Sequence, residues 1–254
     1  MKATALEYRM RYLLHAIIYA LGFIAPWNYA LHLDPAGTNA HVWGLLAVNL
    51  SQLHIATLSN AFNMLLVLGI LFALAAAGLR TWGSAYLGSD VVQDGAMHVP
   101  MSPTPFAGAA MPEVLTAGPF RHVRNPLYLG TFLHTFALAL LMPRSGAIFA
   151  IVVTGLLQVR LLLSEESYLM AKLGEPYQTY CLNVPRLLPR LRTSIPSSGQ
   201  KTRWPQAFLG EVYMWIVALS MAIAGWRYNA SLLIQCVLVA FGVSLVVKAL
   251  APKP

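Results

Sequence analysis

Residues 118–130 read GPFRHVRNPLYLG, and they stand directly before an apolar run that continues to Met142. The stretch places two arginines, a histidine, an asparagine and a tyrosine at the point where the chain would enter a membrane. Polar groups at that depth are costly unless they meet a partner. A second polar cluster follows the return of the same hairpin, from Glu165 and Glu166 to Arg186. Because both clusters fall at one membrane face, they predict a ligand site there.

The composition is that of a membrane protein. Of the 254 residues, 57% are hydrophobic and 10% are charged, whereas soluble domains carry about 25% charged residues. Apolar runs of about 17 to 20 residues recur, and that length crosses a hydrocarbon core. We therefore predict an all-α polytopic membrane helix bundle, with about six transmembrane helices and a cofactor site on the cytoplasmic side.

The net charge of +8 does not indicate a nucleic-acid partner, because the basic residues stand beside apolar segments. That pattern is typical of residues that orient a membrane protein and contact anionic lipid headgroups. The two cysteines, Cys181 and Cys236, provide neither a disulfide framework nor the spacing of a metal site. We expect no metal.

Six apolar segments are candidate spans. The first follows Arg9 and Arg11, is broken by Pro26 and reaches about Leu33. The others are Phe62–Leu79, Leu127–Met142, Ala147–Leu163, Phe208–Trp226 and Ala230–Leu250. Polar residues interrupt the segment His41–Thr57, which we interpret as an amphipathic helix lying in the interface.

The basic residues also predict the orientation. With six spans, all of the 17 lysines and arginines except Arg144 and Arg227 fall on one side. A seventh span at His41–Thr57 would move Lys2, Arg9 and Arg11 to the other side. The positive-inside rule therefore favours six spans with both termini and both polar clusters in the cytoplasm. We expect an integral protein of the inner or plasma membrane.

The first cluster has the features of an anion site. Asn125 precedes Pro126, and proline in a first turn with asparagine before it predicts the capped start of a helix. Helix N-termini present free N–H groups that suit a carboxylate or phosphate, and Arg121, His122 and Arg124 add positive charge. The alternative is a basic collar that only orients the hairpin.

The second cluster predicts a helix that continues beyond the bilayer. Glu166, Leu169, Met170 and Leu173 share helical spacing, and the sequence Gly174-Glu175-Pro176 then predicts a turn. The alternative role for Glu165 or Glu166 is to neutralise Arg160 at a solvated helix end.

Taken together, the clusters resemble two motifs of the isoprenylcysteine carboxyl methyltransferase and phospholipid methyltransferase families. Residues 118–130 are similar to the signature G-P-Y-R-x-x-R-H-P-x-Y-x-G. The downstream pattern E-E-x-x-L…G-x-x-Y-x-x-Y…V-x-R-x-x-P resembles Glu165, Glu166, Leu169, Gly174, Tyr177, Tyr180, Val184, Pro185, Arg186 and Pro189. Arg80-Thr81-Trp82 and Leu87-Gly88 look like the preceding segment, so the resemblance covers about Leu65 to Pro189.

The resemblance implies a membrane methyltransferase that uses S-adenosylmethionine. The methyl acceptor would be a lipophilic molecule, isoprenylcysteine carboxylate-like or phospholipid-like, that enters from the bilayer. The implied catalytic residues are Arg124, Asn125 and Glu166. The implied cofactor-binding residues are Gly118, Pro119, Arg121, His122, Asn125, Tyr128, Leu129, Gly130, Glu165, Glu166, Tyr177 and Tyr180.

The chemistry of these residues is compatible with that cofactor. The arginines and His122 suit its carboxylate, the glutamates suit its ammonium or ribose hydroxyls, and the tyrosines suit the adenine ring. Asn125 stands where the family has a histidine. Asparagine donates and accepts hydrogen bonds, but it carries no charge and is no base near neutral pH.

The resemblance divides the chain into three parts. Residues 1–61 hold the first transmembrane helix and the interfacial segment, 62–192 the methyltransferase core, and 193–254 a linker and the C-terminal hairpin. Two other readings stay open at this point. One is a membrane sterol or steroid reductase that uses NADPH, and the other is a non-enzymatic scaffold or transporter. The sequence does not identify the acceptor or the oligomeric state.

Overall fold

The computed structural model describes residues 2–24, 40–87, 114–193 and 195–250, and these form a helix bundle. In chain order the helices are α1 (Ala5–Arg9), α2 (Arg11–Ile24), α3 (Val42–Gln52), α4 (Leu58–Tyr86), α5 (Pro126–Ala139), α6 (Arg144–Leu173), α7 (Glu175–Asn183), α8 (Trp204–Gly210), α9 (Val212–Ala224) and α10 (Ala230–Leu250). Two 3-10 turns, Gly118–Arg121 and Gly225–Arg227, lie between them. The predicted all-α class is confirmed.

Three helices within the described ranges are long and apolar enough to cross a membrane: α4, α6 and the Ala230–Val247 part of α10. The pair α8–α9 adds a fourth if its two bent halves form one span. Helix α2 is apolar but has 14 residues. The membrane bundle is therefore confirmed in kind, and the count of six spans stays a prediction.

The predicted span Phe208–Trp226 contains a break that the sequence analysis did not predict, because the chain bends by 69° between α8 and α9. Glu211 lies at the bend, and Arg80 of α4 binds both of its carboxylate oxygens, from Nε at 2.7 Å and from Nη2 at 2.9 Å. An acidic side chain in an apolar run needs such a cation. The ion pair gives a physical reason for the break.

Close helix contacts at glycines hold the centre of the bundle together. In the α4–α5 contact, a Cβ on Gly130 would lie 2.5 Å from Cγ of Arg80 and 3.1 Å from the carbonyl oxygen of Ala76. In the α2–α6 contact, a Cβ on Gly146 would overlap the carbonyl of Gly22. Helix α5 therefore packs tightly on α4, and α2 lies directly against α6.

The segment predicted to lie in the interface contains the eleven-residue helix α3. It is tied to the turn between α5 and α6, because the amides of Val42 and Trp43 donate to the carbonyls of Met142 and Leu140, both at 2.9 Å. The predicted break at Pro26, the end of the first run near Leu33, and Gly88 lie outside the described residues.

Candidate functional site

The turn before α5 depends on a glycine. Gly118 has a φ of +53°, a conformation that other residues adopt at a cost, and a Cβ there would overlap the ring of Tyr86. The following 3-10 turn contains Pro119 and buries Phe120 at 3% exposure. This turn brings Arg124 and Asn125 to the start of α5, facing the far end of α6.

Glu166 is the centre of the site. It is 8% exposed, in the last turns of α6. Its carboxylate lies 3.3 Å from Nη1 of Arg124 and accepts bonds from Nε and Nη2 of Arg186, the shorter at 2.9 Å. The bond to Glu166 is the main reason that the pKa of Arg186 is raised. Charge-assisted bonds of this kind are the stronger ones, so Glu166 fixes both arginines.

Asn125 is the third partner of Glu166. Its side-chain nitrogen donates to Oε1 of Glu166 at 3.0 Å and to the backbone carbonyl of Arg186 at 3.2 Å. Helix α5 starts at Pro126, as predicted, and Asn125 occupies the position before it. The predicted side-chain cap is wrong, because Asn125 makes no capping bond; its amide is occupied by α6 and by the segment after α7.

A cleft opens beside this network and offers about 330 Å³ of space, part of it open to solvent. It combines a cation, a carboxylate, an amide, three aromatic rings and an aliphatic wall. The residues that line it are Leu87, Phe120, Arg124, Asn125, Pro126, Leu127, Tyr128, Glu165, Leu169 and Tyr177. Five of the residues predicted to form a site from the sequence therefore meet here: Arg124, Asn125, Tyr128, Glu165 and Tyr177.

The guanidinium of Arg124 has hydrogen-bond partners for only some of its N–H groups among the described residues. Nη1 faces Glu166, whereas the buried Nε has no hydrogen-bond partner among the described residues. An unpaired buried N–H is costly, because it has lost its water without gaining an acceptor. Because Arg124 also lines the cleft, its guanidinium is suited to an anionic group bound there.

The two tyrosines of α7 have different roles. Tyr180 donates to the carbonyl of Phe120 at 2.8 Å, so it holds the 3-10 turn against α7. Tyr177 is 1% exposed, lies 5.7 Å from Tyr180 between ring centroids, and lines the cleft. Burial raises the pKa of both phenols, so both stay neutral at physiological pH.

Several sequence-predicted residues point elsewhere. Arg121 donates twice to the carbonyl of Ile195, at 3.0 and 2.8 Å, and Nδ1 of His122 lies 2.7 Å from the carbonyl of Arg190. These side chains tie the segment after α7 to the turn. Gly118 and Pro119 lie in the turn and Gly130 lies in the α4–α5 contact. These three residues and Leu129 are not among the residues that line the cleft.

The alternative pairing of Arg160 with Glu165 or Glu166 is wrong. Nη2 of Arg160 lies 2.8 Å from Oε2 of Glu7 in α1. This bond is the largest cause that lowers the pKa of Glu7 to about 2. The two glutamates of α6 are therefore directed to the site, where Glu166 binds the arginines and Glu165 lines the cleft.

The contacts of Tyr8 with Glu165 and of Glu211 with Arg80 were not predicted from the sequence. The Tyr8 hydroxyl donates to Oε1 of Glu165. A signal for it exists, since Tyr8, Arg11, His15 and Tyr19 recur at helical spacing along the sequence of α1 and α2. Glu211 was an acidic residue in an apolar run, which itself predicts a buried cation partner.

Comparison with known proteins confirms the resemblance drawn from the two motifs. Residues 64–175 match the phospholipid methyltransferase family. The match begins in α4, includes Arg124, Asn125, Glu165 and Glu166, and ends before Tyr177 and Arg186. No curated protein and no solved structure matches the chain.

Proposed function

We propose that this chain is a membrane methyltransferase that moves a methyl group from S-adenosylmethionine to a lipophilic acceptor. The match of residues 64–175 to the phospholipid methyltransferase family supports the proposal. The observation that carries the proposal is the cleft beside α5 and α6. Nine of the ten residues that line it lie within the part of the chain that matches the family, and one of these, Arg124, has a buried Nε with no hydrogen-bond partner among the described residues.

The residues of the cleft fit the cofactor. S-adenosylmethionine supplies an electrophilic methyl group on a sulfonium, and it carries a carboxylate, an ammonium and an adenine ring. The Nε edge of Arg124 would bind the carboxylate, and Glu165 would face a positive group. Tyr177 and Phe120 would border the adenine.

Glu166 acts on the cofactor through Arg124. Its carboxylate is surrounded by Arg124, Asn125 and Arg186, so it holds the guanidinium that faces the cleft. We therefore assign Arg124 to binding and Glu166 and Asn125 to positioning. Methyl transfer from a sulfonium needs no covalent intermediate with the protein. Holding the reacting groups in the correct orientation can therefore account for a large part of the rate acceleration.

Asn125 offers no titrating group at the position where the family has a histidine. His122 does not replace it, because its ring nitrogen is bonded to the Arg190 carbonyl and its ring lies against Trp82, 5.9 Å between centroids. Positioning and the exclusion of water are thus the protein's proposed contributions, without a histidine base.

The acceptor would approach through the apolar wall of the cleft, formed by Leu87, Leu127 and Leu169. An isoprenylcysteine carboxylate-like or phospholipid-like molecule has an apolar body that suits this wall and a polar end that reaches the cofactor. The charge pattern supports a cytoplasmic cleft and cytoplasmic termini, since the basic residues concentrate at that end.

Ligand-induced stabilisation tests the cofactor. A ligand at 100 times its Kd adds about 2.7 kcal/mol to the free energy of unfolding. S-adenosylhomocysteine should therefore raise the melting temperature of the purified protein in detergent, and NADPH should not. Stabilisation by NADPH alone would favour a reductase, and stabilisation by neither would favour a scaffold.

A pair of arginine variants localises the effect. Arg124→Lys keeps a positive charge near Glu166 but loses the planar guanidinium edge, so we expect at least about tenfold weaker binding of S-adenosylhomocysteine. The matched control is Arg192→Lys, at an exposed position, which should bind like the wild type. Equal affinities for the two variants would contradict the assignment of Arg124.

A further inference from the structure

The N-terminal segment is attached to the part of α6 that carries the site. The backbone amide of Ala3 donates to the carbonyl of Arg160 at 3.1 Å, and the Ser164 hydroxyl donates to the carbonyl of Ala3 at 3.3 Å. Glu7 pairs with Arg160 at 2.8 Å. These contacts place α1 beside Glu165, although residues 3–8 lie outside the part of the chain that matches the family.

Tyr8 is the residue of α1 that turns inward. It is 5% exposed, and its hydroxyl donates to Oε1 of Glu165. Its ring is held in turn by Arg11, whose guanidinium lies 4.5 Å from the ring centroid and donates to the Tyr8 carbonyl at 3.0 Å. A ring fixed on its face by a cation and at its tip by a carboxylate has little rotational freedom.

Glu165 in turn faces the cleft. It is 3% exposed, lines the cleft together with Tyr128, and lies within electrostatic range of the Tyr128 hydroxyl. Tyr8 is not itself part of the lining. Its hydroxyl is connected to the cleft by its hydrogen bond to the carboxylate of Glu165.

From these contacts we infer that Tyr8 is a positioning residue of the active site: the N-terminal helix fixes the Glu165 carboxylate in the orientation that receives the positively charged part of the cofactor. The inference rests on the proposed function. It extends the site beyond the α4–α7 region to a residue that neither motif contains.

A double-mutant cycle tests the inference. Tyr8→Phe removes the hydroxyl and keeps the ring, and we expect kcat/KM for S-adenosylmethionine to fall about tenfold, because a bond to a charged group is lost. In a Glu165→Gln background the same change should have at most about a twofold effect, since the partner is already altered. Multiplicative effects of the two changes would overturn the inference.

The control is Tyr12→Phe, at a side chain 53% exposed on the adjoining helix, which should have wild-type kinetics. Wild-type kinetics for Tyr8→Phe would overturn the role of Tyr8 but would not contradict the proposed function. A wild-type protein that neither binds S-adenosylhomocysteine nor transfers a methyl group would contradict the proposed function, and the role of Tyr8 with it.

A second measurement does not depend on the stability of Tyr8→Phe. Replacing Tyr8 by 3-fluorotyrosine keeps the hydroxyl and provides a fluorine resonance next to Glu165. Addition of S-adenosylhomocysteine should shift that resonance, and 3-fluorotyrosine at position 12 should not respond. An unchanged resonance at position 8, with the ligand bound, would contradict the link between Tyr8 and the cleft.

Discussion

The side-chain amide of Asn125 donates to Oε1 of Glu166 at 3.0 Å and to the carbonyl of Arg186 at 3.2 Å. One short side chain thereby joins the start of α5 to α6 and to the segment that follows α7. The same residue lines the cleft. Together with the ion pairs of Glu166 with Arg124 and Arg186, this neutral hydrogen-bond donor therefore sets the relative placement of the cleft walls.

The first prediction concerns this donor. Asn125→Ala removes two bonds in a buried setting, where each lost partner costs about 1–3 kcal/mol, and kcat/KM should fall at least about tenfold. Asn125→His retains a ring N–H and should keep most of the activity. The control is Asn183→Ala, because Asn183 is only partly buried and its amide donates to the Thr179 carbonyl at 2.8 Å.

Steady-state kinetics across pH decide between two roles for Asn125. Unaltered kinetics for Asn125→Ala would contradict the positioning role. A faster Asn125→His enzyme with a pH dependence near the histidine pKa of about 6.5 would show that a titrating base at this position promotes the reaction. That result would also contradict the proposed positioning role of Asn125.

The second prediction concerns Glu166. Glu166→Gln leaves Arg124 and Arg186 without their shared carboxylate, and breaking a buried pair in this way costs about 3–5 kcal/mol. We expect a lower melting temperature and a loss of most stabilisation by S-adenosylhomocysteine. Glu175→Gln, at an exposed position at the start of α7, should change neither quantity. Similar melting curves for the two variants would contradict the central role of Glu166.

The third prediction separates a buried from an exposed ion pair. Glu211 and Arg80 have side chains 9% and 13% exposed, whereas Glu7 and Arg160 are 30% and 26% exposed. Glu211→Gln should therefore destabilise the protein by about 3–5 kcal/mol, and Glu7→Gln should have a much smaller effect because water screens that pair. Thermal unfolding in detergent measures both. A larger loss for Glu7→Gln would refute the buried role of Glu211.

Local spacing was enough to predict the helices that carry the site. The start of α5 at Pro126, the continuation of α6 to Leu173 and the turn at Gly174 are confirmed, because proline, helical periodicity and glycine act within a few residues. The partners of Glu7, Asn125 and Glu211 were not predictable in this way. Each depends on which helices become neighbours, and sequence spacing does not contain that information.

The site shows the same division. Arg124, Asn125 and Glu165 belong to the two motifs and line one cleft. They meet there because the two motifs lie at the facing ends of one hairpin. Arg121 and His122 belong to the same motif, yet their side chains bind the carbonyls of Ile195 and Arg190. The 3-10 turn at Gly118–Arg121 determines which of the adjacent polar side chains point into the cleft. The amino-acid composition does not contain that information.

The fourth prediction concerns topology. The charge pattern predicts that Ser198 is cytoplasmic and that Asn229, in the exposed turn between α9 and α10, lies on the opposite side. Single cysteines at these two positions, in a chain with Cys181 and Cys236 replaced, should react with an impermeant reagent from opposite faces. Reaction of both from the same face would contradict the orientation.

Methyl transfer itself is the most direct test of the central claim. Purified protein in detergent is incubated with radiolabelled S-adenosylmethionine and a total lipid extract, and the organic phase is counted and resolved. We expect a labelled lipophilic product that appears with the wild-type protein and whose amount falls at least about tenfold with Arg124→Lys. No label in the organic phase, together with no binding of S-adenosylhomocysteine, would contradict it.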